Sequence, residues 1–204
     1  MPTVVTRRAA AGLLLAAGLA ACTPGPSYSP QDWVTLPPDA VVGAGDPTRS
    51  AILNAAYAYG TPASLAGRPA EAAVAAAQLD YLASEIPFGA RWREFDPTVG
   101  LLLQRARQEV RNYVGISQEA APQAVIDAFY GTSRALRAND TAAAERILAP
   151  PVVPNARQAL GHLTAMPLLP TANQATARAA QELDRVGRIG GRGGGGFGGG
   201  GGRN

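Results

Sequence analysis

Across residues 97–114, Val99, Leu102, Leu103, Ala106, Val110, Tyr113 and Val114 recur at spacings of three and four, the period of one helix face. Asp96-Pro97 supplies a start, a capping carboxylate followed by proline at a position that needs no N–H, and Gly115 supplies a stop. This stripe predicts a helix at the centre of the core. Asp46-Pro47 repeats the start chemistry and predicts a helix to about Tyr59, with Ile52, Ala55, Ala56 and Tyr59 inward and Gly60 at its end. Ala75, Leu79, Leu82 and Ile86 predict a second helix over 69–85, ended by Pro87. Another over 122–138 turns Val125, Ile126, Phe129, Ser133 and Leu136 inward. Gly131 costs that helix about 1 kcal/mol relative to alanine, which predicts a closely packed neighbour. Asp140 caps a short helix ending at Leu148, and segments 155–165 and 171–186 complete the set. The Asp-Pro-Thr starts at Asp46 and Asp96 are followed by unrelated residues, so they do not mark a repeat.

The flanks are different. Residues 23–46 are too rich in proline and glycine for regular structure and read as a tether, except that Trp33 and Val34 are predicted to dock on the following domain, with a partner as the alternative. Residues 187–204 hold 12 of the 24 glycines and read as a disordered tail, since they cannot bury enough surface to offset their ordering entropy. The expected fold is all-α, a bundle of about six or seven short helices over 47–186, between a tether at 22–46 and a tail at 187–204.

Composition narrows this picture. Of the 47% hydrophobic residues, 42 in number are alanines, which add little buried area each, so the core is expected to be thin. There is no lysine, and the formal charge of +3 rests on 18 arginines. Loss of residues 1–21 removes Arg7 and Arg8, leaving sixteen arginines against fifteen carboxylates. A balance of +1 argues little for a polyanionic partner, and nucleic acid is not expected.

At the N-terminus Arg7 and Arg8 precede an apolar run over 9–21, thirteen positions where a membrane-spanning helix needs roughly 20. The run closes on Leu19-Ala20-Ala21-Cys22, which resembles the lipobox of bacterial lipoproteins: an aliphatic residue, two small residues and the acceptor cysteine. The resemblance covers about a tenth of the chain. It implies that 1–21 is an export signal and that Cys22 carries thioether-linked diacylglycerol and an amide-linked third acyl chain, a stable membrane anchor. In this class an aspartate after the cysteine retains the protein at the inner membrane; Thr23 therefore favours the inner face of an outer membrane, with the domain in the periplasm. Thr6-Arg7-Arg8 also resembles a twin-arginine signal, although alanines stand at 9–11 where bulky apolar residues belong. With the single thiol lipidated, no disulfide, thiolate nucleophile or Cys-ligated metal site remains, and no cofactor motif is present.

Three constellations stand out. Arg91, Arg93, Arg107 and Arg111, with Trp92 and Phe95, form a candidate anion-binding surface. Against it, Arg107 and Arg111 flank one edge of the helical stripe while Arg105 flanks the other, as on a solvated helix. His162, the single histidine, is a conceivable base, but there is no Gly-x-Ser-x-Gly elbow and a helix end explains an imidazole by itself. The pairs Glu94/Asp96 and Asp80/Glu85 suggest a glycosidase-like couple, which only their separation in space decides. The arginines of the glycine-rich tail resemble sparse RNA-binding segments, a reading that export excludes. The leading expectation is a non-enzymatic envelope interaction or assembly module bound to an envelope protein or cell wall. The alternatives are a small-ligand or peptide-binding lipoprotein with an interhelical pocket lined by Trp92, Phe95 and an arginine, and a cell-wall hydrolase.

Overall fold

The computed structural model describes residues 33–41 and 45–192, with side chains to Ile189. The signal, Cys22 and residues 193–204 lie outside this range, as does much of the tether. Among the described residues there are seven α-helices and no strand: α1 (Pro47–Gly60), α2 (Pro69–Phe88), α3 (Pro97–Val114), α4 (Pro122–Arg137), α5 (Thr141–Ile147), α6 (Ala156–Thr164) and α7 (Pro170–Arg192).

The helix starts follow from their caps. Asp46 accepts from the Thr48 N–H at 2.9 Å, Asp96 from Thr98 at 2.9 Å, Asp140 from Ala143 at 2.8 Å and Asn155 from Gln158 at 3.1 Å. Gly115 ends α3 in the left-handed region, φ 88°, and Asn139 ends α4 at φ 58°. Asp140 follows at once as the cap of α5, so two adjacent side chains end one helix and begin the next.

α1 and α3 each pack on both α2 and α7, closing a four-helix ring. α4 lies on α2 outside that ring, α5 packs on α4, and α6 bridges α2, α3 and α5. The central helix is therefore α2, not α3 as its stripe suggested. Twelve of the 20 residues of α2 are buried, among them six alanines. Alanine gives a slim helix that neighbours can approach from several sides, and such a helix shows no stripe. α3 buries one face, with Val99, Leu103, Ala106, Val110 and Val114 inside, while Leu102 and Tyr113 are only half-buried.

Two boundaries differ from expectation. α2 runs through Pro87 to Phe88, because a proline in the last turn sacrifices one bond where carbonyls are already leaving the ladder. Pro87 then rests against Gly100 of α3, where an added Cβ would lie 3.2 Å from the proline ring. α7 continues six residues beyond 186. Ile189 is exposed there, so packing does not hold the extension; the Arg188–Asp184 pair at 2.9 Å supports it against the propensity cost of Gly187, Gly190 and Gly191. The neighbour expected at Gly131 is Ile147, 3.3 Å from an ideal Cβ.

α3 and α7 cap each other. Glu109, near the end of α3, accepts from Thr171 N–H at 3.2 Å, Thr171 Oγ1 at 3.0 Å and Ala172 N–H at 2.8 Å, at the start of α7. Glu182 of α7 accepts from the Asp96 N–H at 3.2 Å, at the start of α3. Each carboxylate meets the positive end of its neighbour, which fixes the antiparallel register.

The segment 33–41 divides the docking expectation. Val34 is buried, and Thr35 exchanges two hydrogen bonds with Gln123 of α4, at 2.7 and 3.1 Å. Trp33, by contrast, is 85% exposed and does not dock.

Candidate functional site

The arginine and aromatic residues singled out in the sequence do not make one surface. Trp92 and Phe95 are buried, edge to face at 5.0 Å, and the Trp92 indole donates to Glu85 at 3.0 Å. Their ring area does more in the core than on a surface. Arg91 lies 4.5 Å over the Trp92 ring and pairs with Asp46, tying the short turn before α3 to the start of α1. Burial raises the Asp46 carboxyl, but Arg91 and the N–H groups of Arg49 and Thr48 outweigh it and hold Asp46 below the usual carboxylate range. Arg93 is exposed, and Arg107 donates to Ser84 at 3.3 Å.

Arg111 departs furthest from a surface role, with its side chain 3% exposed. It donates to both oxygens of Asp80, at 2.9 and 2.6 Å, and to the carbonyls of Ser117, Gln118 and Ala120 at 2.9–3.2 Å. All of its donor-bearing nitrogens are used, as a buried guanidinium requires. Burial pushes the Asp80 carboxyl up and Arg111 opposes that push. The pair locks α2, α3 and the loop after α3 together.

Three of the four suggested carboxylates are similarly occupied, while Glu94 is exposed. Asp80 belongs to Arg111, Glu85 to Trp92, and Asp96 to its own cap, where the Thr98 backbone and hydroxyl hold its pKa down. These carboxylates do not face one another as free groups. His162 stacks on Tyr113 with ring centroids 5.0 Å apart, and its Nδ1 is buried without a hydrogen-bond partner among the described residues. Tyr59 OH is likewise buried and unpartnered, and burial first, then Asp80 and Glu109, push its pKa far up, so it stays a neutral phenol.

A cavity with room for a ligand, of about 430 Å³, lies elsewhere, between α1, α2, α4 and the 3-10 turn Pro38–Ala40. That volume falls within the range of small-molecule sites, roughly 300–1,000 Å³. Its inner wall carries Gln78, Tyr130 and Ser133, and its mouth carries Arg68, Arg134 and Arg137. Gln78 donates to the Tyr130 hydroxyl at 3.3 Å. Ser133 is 1% exposed and its Oγ has no partner among the described residues, an arrangement that costs about 1–3 kcal/mol for a buried polar group. Arg134 holds Asp39 at 2.9 and 3.0 Å, and Arg137 holds Glu71 at 3.0 Å.

The pocket expected around Trp92 and Phe95 is thus replaced by one that sequence reasoning did not assemble. One signal for it was present. Ser133 is the polar member of the inward set expected on α4, beside Val125, Ile126, Phe129 and Leu136, and Gln78 is a long polar residue in an alanine-rich helix. The arginines at the mouth gave none, being three of eighteen. No helix among the described residues is long and apolar enough to cross a membrane. Comparison of the chain with protein-family models, with curated proteins and with solved structures finds no match.

Proposed function

We propose that the chain is a lipid-anchored protein of the bacterial envelope whose helical domain acts by binding another envelope component, a protein or the cell wall, and not by catalysis. The observation that carries this reading is the order Arg7-Arg8, apolar run, Leu19-Ala20-Ala21-Cys22 and proline-rich exit. In this reading lipid at Cys22 tethers the domain to the membrane, and Thr23 favours the outer membrane, with the domain facing the periplasm. The occupied state of Asp80, Glu85 and Asp96 favours binding over hydrolysis. Leu53 and Tyr57 stand exposed one turn apart on α1 and supply apolar contact area for a partner. The test is chemical crosslinking of the full chain in intact bacterial cells. Discrete adducts are expected from the wild type and not from Leu53→Glu; the absence of any adduct, or adducts indifferent to that change, contradicts the reading.

A further inference from the structure

We propose that the cavity between α1, α2 and α4 is a binding site for a small hydroxycarboxylate, with Asp39 as its internal competitor. This site needs nothing from the lipid anchor.

The structure already holds a carboxylate at the mouth of this cavity. Asp39 arrives from the segment before α1 and places both oxygens on one Arg134 nitrogen, at 3.0 and 2.9 Å. The two side chains are 56% and 50% exposed, so the pair is open to exchange with a carboxylate from solution. Arg137 is similarly half-exposed against Glu71, while Arg68 pairs with no carboxylate among the described residues. Three guanidinium groups facing two carboxylates leave the mouth with one uncompensated positive charge, and guanidinium matches carboxylate in shape.

Deeper in, the unmet hydrogen bonds specify the rest of the ligand. Ser133 lines the cavity, and its buried hydroxyl has no partner among the described residues. Tyr130 accepts from Gln78, which leaves its own proton to donate, and burial keeps the phenol protonated. A hydroxyl on the ligand accepts from Tyr130 and donates to Ser133, while the carboxylate takes the place of Asp39 on Arg134. Binding therefore releases Asp39, and with it a contact that fastens the segment 33–41 to α4.

The test is isothermal titration of the full-length chain in detergent with lactate, malate and citrate as probes. Arg134→Gln and Asp39→Asn break the same ion pair, so a purely structural role moves both variants in the same direction. A binding role moves them oppositely: Arg134→Gln should weaken the best probe by at least about tenfold through loss of charge-assisted hydrogen bonds. Asp39→Asn should tighten it by about threefold or more, since the empty site becomes more populated. Ser133→Ala should weaken malate and lactate while raising thermal stability, since it removes a buried hydroxyl that is unpartnered among the described residues of the empty site. No heat from any of the three probes at about 10 mM with either wild type or Asp39→Asn overturns the proposal, a weaker regime than the mM affinities expected of a small site. Changes of the same sign in Arg134→Gln and Asp39→Asn also overturn it.

Discussion

At the scale of single residues, Arg111 carries the largest share of fixed geometry per side chain. A buried ion pair repays its desolvation only when its remaining donors are satisfied, and here three of the hydrogen bonds go to carbonyls outside the pair. Arg111→Met should therefore cost about 3–5 kcal/mol, by exposing the Asp80 charge to a buried, unpaired state and orphaning those carbonyls. Replacing both partners, Asp80→Leu with Arg111→Met, relieves the stranded charge but not the carbonyls of Ser117, Gln118 and Ala120. Urea unfolding of the full chain should find the double variant still well below wild type; full recovery would mean that the loop contacts contribute nothing. The carboxylates elsewhere sort by neighbour: Arg185 first, then the Asp96 N–H, holds Glu182 below its usual range, whereas Asp80 is pushed up by burial.

At the scale of elements, legibility tracked amphipathicity. α3 was legible to the residue at both ends because Asp96, Pro97 and Gly115 act locally and its apolar residues keep to one side. α2 was legible as a helix but not as the centre, since residues buried on every side leave no polar face to set a period. Even in α3 the pattern misplaced the face slightly. Leu102 and Leu103 are adjacent apolar positions, and only the partners, α2 and α7, decide that Leu103 points fully inward. Leu103→Ala should cost about 2–5 kcal/mol. Leu101→Ala, two residues away at 59% exposure, should fall within about 0.5 kcal/mol of wild type. Equal effects in thermal melts would mean that α3 does not present this face to the core. The buried pairing of Arg111 was illegible for a related reason: an arginine beside an apolar stripe reads as a solvated edge until a carboxylate from another helix is placed against it. The cavity shares this property, drawing its walls from helices and a turn far apart in sequence.

At the scale of the whole molecule, part of the segment before α1 belongs to the domain, since Val34, Thr35 and Asp39 are held on it. The ring of α1, α2, α3 and α7, closed by Glu109 and Glu182, needs nothing from the lipid for its core. Under the proposed function anchorage and folding are separable, and anchorage rests on one residue, Cys22, whose sulfur takes the first lipid. The most direct measurement is metabolic labelling of the full-length chain with a tagged fatty acid in a bacterial host, wild type beside Cys22→Ser. Label is expected on the wild type, and for Cys22→Ser no label and a larger precursor that keeps residues 1–21. Label retained on Cys22→Ser, or a wild type that matures without acquiring any, would contradict anchorage through Cys22.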